Sequence, residues 1–223
     1  MALRPPSRHL RRLAAGAAVL ALALPRSACG DDADASSDAP PQPVAEIAAV
    51  KGKNTAIKLD KGFTDALGSL GLTPGVTGGA KLVKGSLVFP ISGGNVSVFT
   101  PGEVSPYVIG QLQHEGSGLT LAAGGTTVRL SNFNVDPGVS RVYGDVAVNG
   151  QTAVTSAYLF RLDGRTLNEL ATIKDGKFAV LEGTKVFISD VAAGLLNDTY
   201  GTKAVTDQLL VGIAKITVNT KSG

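Results

Sequence analysis

Gly118-Leu-Thr-Leu-Ala-Ala-Gly-Gly-Thr-Thr-Val-Arg-Leu130 is the stretch from which the fold can be read. Leu119 and Leu121 stand before Gly124-Gly125, and Val128 and Leu130 after it, each at alternate positions, with Thr120, Thr127 and Arg129 between them. Successive side chains of a strand point to opposite faces, so each arm presents one apolar and one polar face. Two glycines between the arms suit a two-residue turn that needs positive φ at both central positions. The segment therefore predicts an antiparallel hairpin buried on one side.

Working outward, apolar alternation and β-branched enrichment recur at residues 81–89, 95–99, 108–114, 118–122, 126–133, 141–148, 153–162, 177–181, 184–188 and 209–218. Turn signals separate them, among them Pro101-Gly102, Gly116-Ser117-Gly118, Asp136-Pro137-Gly138, Asn149-Gly150, Asp163-Gly164 and Asp175-Gly176. Closely spaced short strands with such turns predict an all-β fold, an antiparallel β-sandwich of about ten strands. Two stretches break the pattern. Leu59, Phe63, Ala66, Leu67 and Leu70 fall at helical spacing before Gly71, and Ser189 or Asp190 can cap a second helix that Gly201 closes. These two short helices are expected to cover the ends of the β core. No linker divides residues 50–223, so they are expected to form a single domain.

The N-terminus reads as an address. Four arginines precede the uncharged run of residues 13–24, LAAGAAVLALAL, followed by Pro25 and small residues. This is the layout of an export signal over residues 1–28, too short for the roughly 20 apolar residues of a membrane span. Ser27-Ala28-Cys29-Gly30 resembles the lipobox of bacterial lipoproteins, in which the cysteine sulfur is acylated and the chain is cut before it. Arg26 stands where that pattern has an apolar residue; cleavage at Ala21-Leu22-Ala23, leaving Cys29 a free thiol, is the alternative. Residues 29–49 contain five acids, no Lys or Arg and three prolines, and read as a disordered acidic tether. The expected location is the outer face of the cytoplasmic membrane, with the lipid at Cys29 as the membrane contact, or a secreted form without it.

Charge excludes a nucleic-acid partner. The formal net charge of +3 includes five arginines of residues 1–28; without them 16 of the 21 basic residues face 18 acidic ones, a balance of −2. Site chemistry is sparse. Beyond residues 1–28 His114 is the only histidine and Cys29 the only cysteine, so neither a zinc cluster nor a thiol nucleophile can be assembled. Gly116-Ser117-Gly118 is not a nucleophile elbow, and no glycine loop precedes a lysine and a helix as in a phosphate cradle. The chain is therefore read as a non-enzyme. His114 can ligate iron, act as a base or satisfy hydrogen bonds within a strand, the last being the commonest role. Tyr107, Tyr143, Tyr158 and Tyr200 are candidate phenolate ligands, with half-buried packing the ordinary alternative. Tyr107, seven residues before His114, is the leading one.

The order of motifs resembles the HtaA-like domain, a haem-binding β-sandwich module of exported actinobacterial proteins. The resemblance rests on the opening helix with Phe63, on Phe89-Pro90-Ile91 before Gly93-Gly94, on Gly110-Gln-Leu-Gln-His114 through Leu121, on Val128 through Asp136, on Leu159-Phe160-Arg-Leu162-Asp163 and on Ile188 through Ala193. It implies haem as cofactor, with His114 in the setting of the family's histidine. The family's tyrosine ligand at the end of the first helix is replaced here by Ala66. The resemblance thus implies a cell-envelope binding protein for haem or another apolar ligand near His114 and the two helices, and Tyr107 is added as a candidate contact by its place seven residues before His114. A structural or protein-interaction domain without a small-molecule site is the rival. An apolar cleft of a few hundred Å³ beside His114 would favour the first, and a solid core the second.

Overall fold

The computed structural model describes residues 39–220. The export signal, Cys29 and most of the expected tether lie outside the described residues. The elements are β1 (Ala45–Ile47), β2 (Gly52–Leu59), α1 (Lys61–Ser69), β3 (Thr73–Gly78), β4 (Lys81–Val83), β5 (Ser86–Pro90), β6 (Gly93–Val98), β7 (Val108–Ala123), β8 (Thr126–Asp136), β9 (Arg141–Val148), β10 (Gln151–Asp163), β11 (Ala171–Ile173), β12 (Phe178–Ile188), α2 (Asp190–Tyr200) and β13 (Leu210–Asn219). The fold is all-β with two short helices. Ten of these strands have five residues or more, and three are three-residue strands.

All thirteen belong to one antiparallel sheet, ordered β1-β6-β7-β8-β9-β10-β12-β13-β2-β5-β4, with β3 on β7 and β11 on β12. The sheet curls into a half-barrel. One run of chain helps to close it: β5 pairs with β2, and after Ile91-Ser92 the same run continues as β6 and pairs with β7.

The opening hairpin forms as expected. Leu119 faces Leu130 and Leu121 faces Val128 across β7 and β8, and all four are buried. Gly124 and Gly125 take φ of 56° and 80°, and Asn149-Gly150 takes 50° and 84° between β9 and β10. The helices also form where expected. Asp60 caps α1 by accepting from the Gly62 N–H at 2.7 Å, and Ser189 caps α2 by accepting from the Ala192 N–H at 2.9 Å. Gly201 ends α2 in the left-handed region at φ 63°.

Several boundaries differ from the sequence reading. Residues 108–114 and 118–122 are one 16-residue strand, because Gly116-Ser117-Gly118 is not a turn but a bulge, where the register with β8 shifts between His114 and Gly118. Residues 177–181 and 184–188 likewise join as β12, with a bulge at Gly183. Residues 81–89 divide instead into β4 and β5, because Lys84 and Gly85 both take positive φ. Within the expected tether, Ala45–Ile47 pair with β6 and the apolar side chain of Ile47 is buried.

Candidate functional site

The curled sheet lines a half-open cavity of about 490 Å³. Its wall is built from inward positions of many strands: Ile57 of β2, Phe89 of β5, Leu112 of β7, Val142 of β9, Val186 of β12 and Ala214 of β13. Phe89, Phe133 and Phe160 form a file of rings, with centroids 5.2 and 6.0 Å apart and edge-to-face geometry. Polar side chains gather at Ser105, Ser140 and Asp163, in the segments around 105–108, 137–142 and 160–167. The wall is contributed by strands and the segments between them, and no residue of α1 or α2 lines it.

His114 reaches this cavity from β7 and is 1% exposed. Its Nδ1 lies 2.9 Å from the carbonyl oxygen of Pro90. A carbonyl can only accept, so Nδ1 carries the proton, and Nε2 is left to accept from the Thr55 hydroxyl at 3.1 Å. Burial lowers the imidazole pKa below its ordinary 6.5, the Pro90 bond opposing this in part. The ring is therefore neutral at pH 7, with both nitrogens in hydrogen bonds. Thr55 sits on the buried row of β2 and is itself buried.

Tyr107 also lines the cavity, just before β7. Burial raises its phenol pKa, keeping it un-ionised. The structure thus brings His114 and Tyr107 to one cavity wall, together with Thr55, which sequence reasoning missed. A lone threonine in an apolar row was the available signal. The other tyrosines lie elsewhere. The Tyr200 hydroxyl donates to the carbonyl of Leu121 at 2.6 Å, and Tyr143 and Tyr158 pair across β9 and β10. Among the described residues no three His, Cys, Asp or Glu side chains are grouped so as to hold a metal ion, and no helix is long and apolar enough to cross a membrane.

The fold and site together define an all-β protein with an apolar internal cavity holding a buried neutral histidine. No protein-family model matches the chain, and no curated protein matches it. Among solved structures it is similar to the C-terminal domain of HtaA from Corynebacterium glutamicum, with TM-score 0.48 and 10% identity over 75% of this chain and 97% of that one. It is also similar to the heme binding protein HtaB from Corynebacterium glutamicum, with TM-score 0.48 and 8% identity over 79% and 96%.

Haem is the cofactor implied by the family resemblance, and the donors present can be tested against it. The Nε2 of His114 is engaged by Thr55, the Tyr107 phenol is held un-ionised, and Ala66 in α1 offers no donor and does not line the cavity. This donor set does not fit iron ligation. The apolar wall fits the body of any apolar molecule.

Proposed function

We propose that the chain is an exported cell-envelope binding protein that holds an apolar small molecule inside its curled sheet, through wall contacts rather than a metal bond. The observation that carries this reading is the roughly 490 Å³ apolar cavity beside His114. Ligand sites are typically clefts of ~300–1,000 Å³, mostly apolar with a few placed polar groups. Such a cavity favours a small-molecule site over a solely structural domain, whose core would be filled.

Export and anchoring at Cys29 enter this proposal from the sequence pattern of residues 1–30. In a Cys29→Ser variant, membrane association after cell fractionation should fall; unchanged association would remove the anchor.

The cavity is tested by titrating the protein with cis-parinaric acid and, separately, with hemin. One saturable site for the fluorescent acid is expected. Ala214→Phe, which places a ring in the cavity, should abolish it while leaving the circular dichroism of the sheet intact. Binding unchanged by Ala214→Phe would refute the reading. A hemin Soret shift that disappears in His114→Ala but persists in Thr55→Val would instead establish iron ligation by His114.

A further inference from the structure

One ladder of the sheet carries an unusual pair. In the antiparallel ladder of β9 and β10, Arg141 stands directly opposite Arg161. Their neighbours Val142 and Phe160 line the cavity and Arg161 borders it too, while the guanidinium groups of both arginines lie over the rings of Tyr158 and Phe187, which do not line it. Directly opposite residues have Cβ atoms ~4.5–5.5 Å apart, and like charges in that relation are destabilising.

Both guanidinium groups are held in place. The Arg141 guanidinium lies over the Tyr158 ring, 4.6 Å from its centroid, and that of Arg161 over the Phe187 ring at 4.4 Å. Phe187 is the register partner of Arg161 on β12, and Tyr143 packs against Tyr158 at 6.1 Å. Stacking occupies the face of a guanidinium and leaves its N–H edge available; at Arg141 part of that edge is in a hydrogen bond with the Tyr143 side chain. Among the described residues neither Arg141 nor Arg161 is in an ion pair; the nearby Asp163 carboxylate is taken up by Arg165, at 2.8 and 2.9 Å. Asp190 acts on Arg141, and Asp163 on Arg161, through their fields without an ion pair.

Two stacked cations at directly opposed positions, neither in an ion pair, suit one compact group bearing up to two negative charges. We propose that Arg141 and Arg161 form a two-pronged site for a phosphate group, carried by a small phosphate ester or by a lipid head. The anion turns the repulsion across the ladder into attraction, and its oxygens accept from both forks. The rings of Tyr158 and Phe187 serve as rests for the two guanidinium groups.

The site is tested on the full chain by following the arginine Nε–Hε resonances in ¹H–¹⁵N spectra. Glycerol 1-phosphate should shift Arg141 and Arg161 saturably. The Arg141→Gln and Arg161→Gln variants should each weaken binding by about tenfold or more, and Lys81→Gln on β4 should not. The Arg141→Lys/Arg161→Lys double variant retains both charges but loses the planar forks, and should bind as poorly as the Gln variants. A parallel titration uses phosphatidylcholine vesicles with and without phosphatidic acid. Shifts with the ester alone identify a soluble ester, and shifts with the ester and with phosphatidic acid vesicles identify a lipid head. No saturable shift with the ester, or unchanged affinity in the Lys double variant, would overturn the proposal.

Discussion

Thr55 and His114, 59 positions apart in the chain, meet at 3.1 Å, and both are buried, at 4% and 1% exposure. The hydroxyl comes from β2 and the imidazole from β7, strands that are not neighbours in the sheet. With Pro90 of β5 accepting from the other ring nitrogen, the imidazole joins three strands at one end of the cavity.

Removing the hydroxyl should therefore cost more than its size suggests. Thr55→Val keeps the shape and leaves Nε2 unpaired in apolar surroundings, which costs roughly 1–3 kcal/mol for a neutral group. Urea denaturation should show that loss at unchanged m-value. A loss near zero would mean that Nε2 finds another donor.

The same ring makes stability depend on pH. The folded state holds His114 neutral to lower pH than the ordinary value of 6.5, whereas the unfolded chain takes up a proton near 6.5. Stability from this group is therefore complete above about pH 6.5 and declines as pH falls below it, until the folded-state pKa is passed. Denaturation series between pH 8 and 5 should show this decline, and His114→Gln should flatten it in that window.

Gly144 of β9 marks a close approach of three neighbours in the core. A Cβ there would lie 2.8 Å from Leu159 Cδ1, 2.9 Å from the Ser131 carbonyl oxygen and 3.0 Å from Phe133 Cδ1. Because one of these neighbours is backbone, Gly144→Ala should destabilise by about 1–3 kcal/mol, as overpacking does. A melting temperature equal to wild type would show that the strands separate without penalty.

Tyr200 at the end of α2 donates its hydroxyl to Leu121 of β7 at 2.6 Å, while Ser189 at the start donates to the Tyr158 carbonyl of β10, also at 2.6 Å. Tyr200→Phe should cost about 1 kcal/mol and speed amide exchange in α2 more than in β12. Protection of α2 unchanged from wild type would show that packing alone holds the helix.

How much of this was legible follows from the period of each segment. The β7–β8 hairpin, the Asn149-Gly150 turn and both capped helices carry local signals, and all of them form. Strand β2 escaped because Thr55 stands on its buried row, where alternation calls for an apolar residue. Strand β3 escaped because Pro74 and Gly75 read as loop; an edge strand paired only with β7 can accommodate that proline. His114 was visible as a lone histidine, but its partners Thr55 and Pro90 come from 59 and 24 positions away, and no local spacing announces them. The cavity belongs to no single segment, since it arises only when strands from β2 to β13 curl together.

The corner at Ile91-Ser92 has a consequence of phase. Before it the buried side chains hold odd positions, Leu87, Phe89 and Ile91; after it they hold even ones, Val96 and Val98. The corner thus resets parity between the two halves of one run. Loss or gain of a single codon there would turn Val96 and Val98 to solvent and Ser97 inward while leaving β5 unchanged, whereas a two-codon insertion would preserve the phase. The length of this corner, more than the identity of its residues, is what the two margins of the sheet require.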